Sequence, residues 1–457
     1  MEKRTFLKTT SATVIGSLLV PLAACNNSNP QTQTNLTEET RKNWAGNLTY
    51  STKQLYQPET VPALQEVVRK HKKVKAVGTR HCFNRIADSE FYHVSLQGLK
   101  QIALDENNNT VSIEAGVNYG ELSHYLHEKG YALHNLASLP HISVVGACAT
   151  ATHGSGVKQA NLASAVRQIE FVKADGELLS LSRDMEGDKF NGAVVNLGAL
   201  GIVTRLTLDV LPTFQMRQDI YLELPVNQLE QHFEEVMSAG YSVSLFTDWQ
   251  GDTVNQVWVK RKVENVPVGD ADPEFFGARL ADRDLHPIIE ISAENCTQQM
   301  GVAGPWYERM PHFRMEFTPS SGKELQAEYF VPREQAMSAF RAIQKLKDEI
   351  APLLMISEIR TIAADNFWMS PCYQQDSVAF HFTCKQDWQN LKELLPKIES
   401  VLQAYDVRPH WGKMFTLPAK RLRALYPKFT EFMKLKEEYD PEGKFSNTFL
   451  EERLFKT

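Results

Sequence analysis

A basic, valine-containing run, Lys72 to Val77, leads directly into Gly78-Thr79-Arg80-His81-Cys82-Phe83-Asn84. The run reads as a strand. A strand that ends in glycine and small or polar residues presents several backbone N–H groups together in a tight turn, and such a nest suits a pyrophosphate. A histidine inside that turn would lie beside a bound cofactor, not in the core. A second segment, Ser138 to Gly156, is nearly free of large side chains after Val145. Small residues let the backbone approach a flat or extended ligand closely, and Ser and Thr hydroxyls with backbone N–H groups can hold its phosphates. Alone, such a stretch is more simply a packing crossover. Its place downstream of a glycine loop that carries a histidine favours a ligand.

At 457 residues the chain is long enough for two or three domains, and 42% hydrophobic residues supply a sizeable core. The formal charge of -6 gives no basic footprint, so no nucleic-acid partner is expected. Lys3 and Arg4 precede a largely apolar run, Ala12 to Ala24, too short to span a bilayer comfortably, which reads as a secretory signal over 1–24. Its end, Leu22-Ala23-Ala24-Cys25, resembles a bacterial lipoprotein box, which implies cleavage before Cys25 and lipidation of its thiol. Lys3-Arg4-Thr5-Phe6-Leu7-Lys8 resembles a relaxed twin-arginine signal, a route that exports folded, cofactor-loaded proteins. The expected location is therefore the cell envelope, with membrane contact only through the N-terminal lipid. Asn26 to Thr37, rich in Asn, Gln, Ser and Thr, reads as a flexible tether within 25–41. The other cysteines, Cys82, Cys148, Cys296, Cys372 and Cys384, are odd in number and widely spaced, so neither a disulfide framework nor a zinc site is expected, and no metal.

Apolar periodicity predicts helices over Pro58–His71, Tyr119–Lys129, Val226–Ser238, Arg333–Glu349 and Trp388–Ala404. Alternation and turn residues predict strands over Tyr92–Leu96, Lys100–Leu104, Thr110–Glu114, Ile169–Lys173, Leu178–Leu181, Ile202–Leu208, Ser242–Phe246, Gln256–Lys260, Arg314–Thr318, Leu354–Ile362 and Ser377–Cys384. Pro212 marks a boundary between two α+β regions. Within Ser377–Thr383, Val378, Phe380 and Phe382 share one face, expected to be core, and Ala379, His381 and Thr383 share the other, expected to be a pocket wall. Glu358 and Arg360, two apart, also share a face. By spacing alone this pair suits a surface cross-strand network as well as a site.

The two segments described first occur in order with Asn43-Trp44-Ala45-Gly46-Asn47, Leu197-Gly198-Ala199-Leu200-Gly201, Ser357-Glu358-Ile359-Arg360-Thr361, Arg408-Pro409-His410-Trp411-Gly412-Lys413 and Asp440-Pro441-Glu442-Gly443-Lys444-Phe445-Ser446-Asn447. In these residues the chain resembles the flavoprotein oxidases of the vanillyl-alcohol oxidase type, and among them the bacterial alditol oxidases, over roughly residues 42 to 457. The resemblance implies an α+β fold: a two-lobed FAD-binding domain (42–212), a substrate domain of aldonolactone-oxidase type (213–407), and a segment (408–457) that returns to the first. It implies that His81 bonds covalently to the flavin 8α-methyl group. It also implies that Gly78, Thr79, Arg80, Cys82, Phe83, Ser138, Ser143, Val144, Gly146, Thr150, His153 and Ile202 line FAD. Two departures stand out: Arg80 replaces a family glycine, so its side chain must find room or point away, and Cys82 replaces a serine.

The implied polyol-contacting residues are Ser138, Glu358, Arg360, Thr383 and Lys413, with His381 in the active site. The expected roles follow from the chemistry. Arg360 and Lys413 bind the reacting hydroxyl and stabilise reduced flavin, and His381 or a desolvated Lys413 takes the proton. Glu358, Ser138 and Thr383 orient the other hydroxyls. The expected activity is oxidation of a terminal CH–OH of a polyol such as xylitol or sorbitol, with O₂ reduced to H₂O₂. The alternatives are a dehydrogenase passing electrons to a quinone or cytochrome of the envelope, a gulono- or arabinonolactone oxidase, and a lipid-anchored carbohydrate-binding protein without catalysis.

Overall fold

The computed structural model describes residues 34–263, 271–316 and 323–456. The expected signal segment and Cys25 lie outside the described residues. Two small sheets build most of the N-terminal half, with a two-stranded pairing of Leu211–Pro212 on Tyr131–Ala132 beside them. In the first, the strands Gln54–Pro58, His93–Val94 and Lys75–Ala76 run parallel. Thr34–Glu38 adds antiparallel to Gln54–Pro58, so the end of the expected tether is a paired strand. Its backbone groups are satisfied by that edge, and this ladder outweighs its polar composition. The second sheet is antiparallel, in the order Ile102–Asp105, Thr110–Glu114, Ile202–Asp209, Val166–Val172, Leu178–Ser182. The helix Val61–Lys70 starts where the Thr60 hydroxyl accepts from Ala63 N, and buries Leu64, Val67 and Val68.

The second half is organised by a ten-stranded sheet. Its centre runs Thr253–Val263, Ser242–Thr247, Leu354–Ile362, Ser377–Lys385, Glu324–Pro332, all antiparallel. The alternation of side chains divides this sheet into two chemistries. On the rear face Phe380 and Phe382 lie 6.3 and 6.0 Å from the ring of Trp249, which also meets Phe340 of the helix Ala336–Gln344 at 4.9 Å. Each such buried aromatic contributes about 1.5–3 kcal/mol. Tyr329 from the same face donates to Glu399 of the helix Trp388–Leu402 at 2.9 Å. The front face carries Gln326, Glu328, Glu358, Arg360, His381 and Thr383 and is turned to the small-residue segment, where Gly156 N donates to Thr361 O at 2.9 Å.

Several expected elements differ. Arg314–Thr318 is not a strand over its described residues. The strand lies just downstream, at Glu324–Pro332, and Gln215–Pro225 is a second strand that the sequence reading missed. Val226–Ser238 is broken at His232 and Arg333–Glu349 at Lys345 and Leu346.

The segment after residue 407 runs back across the chain to the first sheet. Phe83 N donates to Gly412 O at 2.7 Å, and Asn84 Nδ2 donates to the carbonyls of Trp411 at 2.8 Å and Lys413 at 2.6 Å. Further on, Val74 N donates to Lys444 O at 3.1 Å, and the buried Lys75 Nζ donates to Phe445 O and Gly198 O, both at 2.9 Å. Asn447 Nδ2 serves the carbonyls of Arg85, Ile86 and Asp88.

Candidate active site

One continuous cavity of about 1070 Å³ runs between the two small sheets and on to the front face of the large one. At one end the Gly78 loop meets the small-residue segment: Ser143 N donates to Thr79 Oγ1 at 3.1 Å. A Cβ on Gly78 or Gly146 would press on Ser143 Oγ, at 2.8 and 2.7 Å. The groove is kept open by glycine where a backbone must come close to a ligand. Arg80 holds a left-handed φ of 66°, the conformation that a glycine would take without cost. Its guanidinium points away and donates to Lys42 O at 3.2 Å. The 43–47 motif clamps this loop, with Asn43 Nδ2 donating to Cys82 O at 3.0 Å and Trp44 N to Arg80 O at 2.8 Å.

His81 stacks on Trp44, with ring centroids 5.1 Å apart and planes 20° from parallel. Both of its ring nitrogens are buried without a hydrogen-bond partner of ordinary geometry. Burial pushes its pKa down to about 4, so the imidazole is neutral at pH 7 and keeps a lone pair on one ring nitrogen. Such an orphaned pair of nitrogens fits a histidine that completes its bonding with a bound group.

Sheet register builds the other end. Glu358, His381 and Glu328 stand opposite one another on three neighbouring strands, and Thr383 and Gln326 are paired in the next row. Arg360 Nη2 donates to Glu328 Oε1 at 3.1 Å, its Nη1 to Ser138 Oγ at 3.3 Å, and its Nε is 3.5 Å from Glu358 Oε1. Lys413 Nζ donates to Gln326 Oε1, lies 3.3 Å from His381 Nε2 and is 4.0 Å from Glu328 Oε2. His153 Nε2 is 3.2 Å from Glu328 Oε1. Burial would raise the Glu328 pKa, but the neighbouring His153, His381 and Lys413 outweigh it and hold the group well below the usual carboxylate range. Glu358 is likewise held down, against burial, by Arg360 and His312. Burial lowers Lys413 and, with Lys413 beside it, lowers His381 to about 3, so His381 is a neutral imidazole. The arrangement is two cations over two carboxylates at one end of the cavity. It can hold an uncharged, hydroxyl-rich molecule and stabilise negative charge developing on one of its oxygens.

The structure brings every expected site residue in the described chain to this cavity except Val144. Val144 is 0% exposed and packs in the core. It begins the short helix Val144–Ala149, whose phase turns Val145 to the cavity instead. The sequence reading missed Glu328, Gln326 and His312. A signal for the first two was present: Glu324, Gln326 and Glu328 alternate with Leu325, Ala327 and Tyr329. Among the described residues no cluster suited to a metal ion occurs.

Comparison with known proteins places this geometry. Residues 52–182 match the FAD binding domain family, and residues 318–453 the D-arabinono-1,4-lactone oxidase family. The chain is 47% identical over 416 residues to an alditol oxidase of a Streptomyces species, which covers 90% of this chain and 98% of that protein. It is 26% identical over 443 residues to the L-gulonolactone oxidase of Mus musculus, covering 91% and 98%. Among solved structures, a cholesterol oxidase from B. sterolicum superposes with a TM-score of 0.75 at 16% identity, over 95% of this chain and 100% of that one. At that identity the likeness shows a shared fold.

Proposed function

This chain belongs to the alditol oxidase family of FAD-dependent oxidoreductases, and from that premise we propose that it oxidises a terminal CH–OH of a polyol, such as xylitol or sorbitol, to the aldehyde. The overall balance is RCH₂OH + O₂ → RCHO + H₂O₂. The observation that carries the reading is the convergence of Arg360 and Lys413 on one wall of the cavity that also receives His81. FAD, when bound, supplies the acceptor for the hydride and passes both electrons to O₂.

The chain's own residues do the rest. Arg360 and Lys413 hold the oxygen that loses its proton and stabilise it as an alkoxide. The proton leaves through the Lys413–His381 pair, 3.3 Å apart. Ser138, Glu358 and Thr383 meet the remaining hydroxyls and set which carbon is presented. Glu328, with His153 beside it, fixes Arg360. His81 bonds covalently to the flavin, a reading supported by its neutral, unpartnered ring on the Trp44 face. Export and lipidation at Cys25 are supported by the Leu22-Ala23-Ala24-Cys25 box, and no helix among the described residues is long and apolar enough to cross a membrane.

The test is the visible spectrum of the purified protein, followed without oxygen on adding xylitol. Bleaching of the flavin bands by xylitol or sorbitol is expected. Bleaching by gulono- or arabinonolactone alone would move the substrate to the lactone class, and slow recovery on admitting air would move the acceptor from O₂ to a quinone or cytochrome. In His81→Ala, the flavin fluorescence that accompanies the protein band through denaturing electrophoresis is expected to vanish; its persistence refutes the linkage. For the anchor, partition into the detergent phase should be lost in Cys25→Ser, and retention in that variant refutes lipidation at this thiol.

A further inference from the structure

Behind Glu358 lies a line of buried groups to which the mechanism above gives no part. Lys260, in the strand Thr253–Val263, is 0% exposed. Its Nζ has three acceptors within reach: the carbonyls of Met310 at 2.7 Å and Pro311 at 2.9 Å, and Nδ1 of His312 at 3.1 Å. Burial lowers the Lys260 pKa to about 7, against the pull of Glu358; in its ammonium form the side chain has three N–H donors and no lone pair. Saturated by these partners, it requires His312 Nδ1 to be the unprotonated ring nitrogen. The ring proton is then on Nε2, which donates to Glu358 Oε1 at 2.8 Å. The opposite tautomer would set a lone pair against the carboxylate and force Glu358 to take up a proton.

Glu358, ionised beside Arg360, favours the same tautomer from the other side of the ring. His312 is packed by the rings of Phe246 and Trp258, with centroids at 5.5 and 5.1 Å. The charged or titratable groups facing Glu358 are Arg360 on its own strand, His381 on the next, His312, Lys260 behind it, and Lys413. Those facing Lys260 are Glu358 and Arg360 across His312, and the Cys296 thiol. His312 N also donates to Ser138 O at 3.2 Å, so the loop that carries the imidazole is tied to a second substrate-facing residue.

We propose that Lys260 and His312 are positioning residues for the polyol: the buried ammonium fixes His312 in its Nε2–H form, and that form holds Glu358 ionised and oriented as an acceptor for a substrate hydroxyl. The inference deepens the reading of Glu358 as a polyol-contacting group and rests on it. Neither residue touches the reacting carbon, so their loss acts on recognition and on the pH range of recognition.

In Lys260→Met, KM for xylitol is expected to rise roughly tenfold or more, with the maximal rate of flavin reduction changed far less. The acid limb of kcat/KM is expected to move up by about one pH unit or more, because Glu358 then protonates more readily. His312→Gln keeps an acceptor for Lys260 and a donor for Glu358, and should recover most of what His312→Leu loses. The wild-type holoenzyme gives a readout independent of turnover. With ¹⁵N-labelled histidine, the His312 signals, assigned by their loss in His312→Gln, should show a protonated Nε2 and a bare Nδ1 at neutral pH. A protonated Nδ1 overturns the proposal, as does a Lys260→Met enzyme that folds and keeps its KM and pH profile. Failure of every polyol to reduce the wild-type flavin would overturn the functional reading instead, while the tautomer measurement would still stand.

Discussion

Lys413→Ala is expected to keep its flavin and to lose substrate-driven reduction of that flavin by about 10²–10³-fold. The residue reaches the cavity from the loop after Gly412, with Nζ shared among Gln326, His381 and, at 4.0 Å, Glu328. None of these contacts builds the cofactor groove, so the fold and the spectrum should survive. What is lost is a donor already placed where negative charge appears as the hydroxyl gives up its proton. Such a donor costs no reorganisation at the moment of reaction, and water entering the gap cannot match it. Rapid-mixing measurement of anaerobic flavin reduction decides the matter. A rate within severalfold of the parent removes Lys413 from the mechanism.

Glu328→Leu is expected to be the most damaging single change in the site, lowering stability by about 3–5 kcal/mol as well as abolishing turnover. Glu328 accepts from Arg360 at 3.1 Å and sits 3.2 Å from His153, all three side chains buried. Leucine leaves the guanidinium with a single buried carboxylate, Glu358, at 3.5 Å. Glu328→Gln, which keeps shape and an acceptor oxygen, should fall between the two. The pH dependence has a definite sign. A carboxylate held below its ordinary range contributes stability that is present above that range and is lost as pH falls through the lowered value. Denaturant unfolding of parent and Glu328→Leu should therefore differ most near neutrality and converge in acid. A constant difference across pH would mean that the loss is one of packing, not charge.

Much of the site was legible because strands advertise their faces. The two-residue spacing of Glu358 and Arg360, and of His381 and Thr383, set each pair on one side of its strand, and the structure puts both pairs on the same wall. The third strand of that wall was missed although its polar alternation, Glu324, Gln326, Glu328, was equally clear; a strand was read into Arg314–Thr318 instead. With it went Glu328, on which the two cations converge. Val144 and Val145 were exchanged because a helix of six residues is too short for its phase to be read from the sequence. Lys260 and His312 were out of reach for a different reason. Their meeting depends on an irregular loop, and no periodicity encodes where such a loop brings its side chains. The backbone strain at Arg80 was foreshadowed by the glycine it replaces, and the outward turn of its side chain is the resolution that leaves the groove clear.

The strand that leads into the His81 loop is held by Lys75 through a carbonyl 370 positions later in the chain, at Phe445. A growing polypeptide that has left the ribosome only as far as the large sheet already offers that side chain Gly198 O, but its other carbonyl partner, Phe445 O, is still to come. The strand before the His81 loop therefore reaches its full set of hydrogen bonds only once the distant segment has been made, which couples this loop to completion of the whole chain.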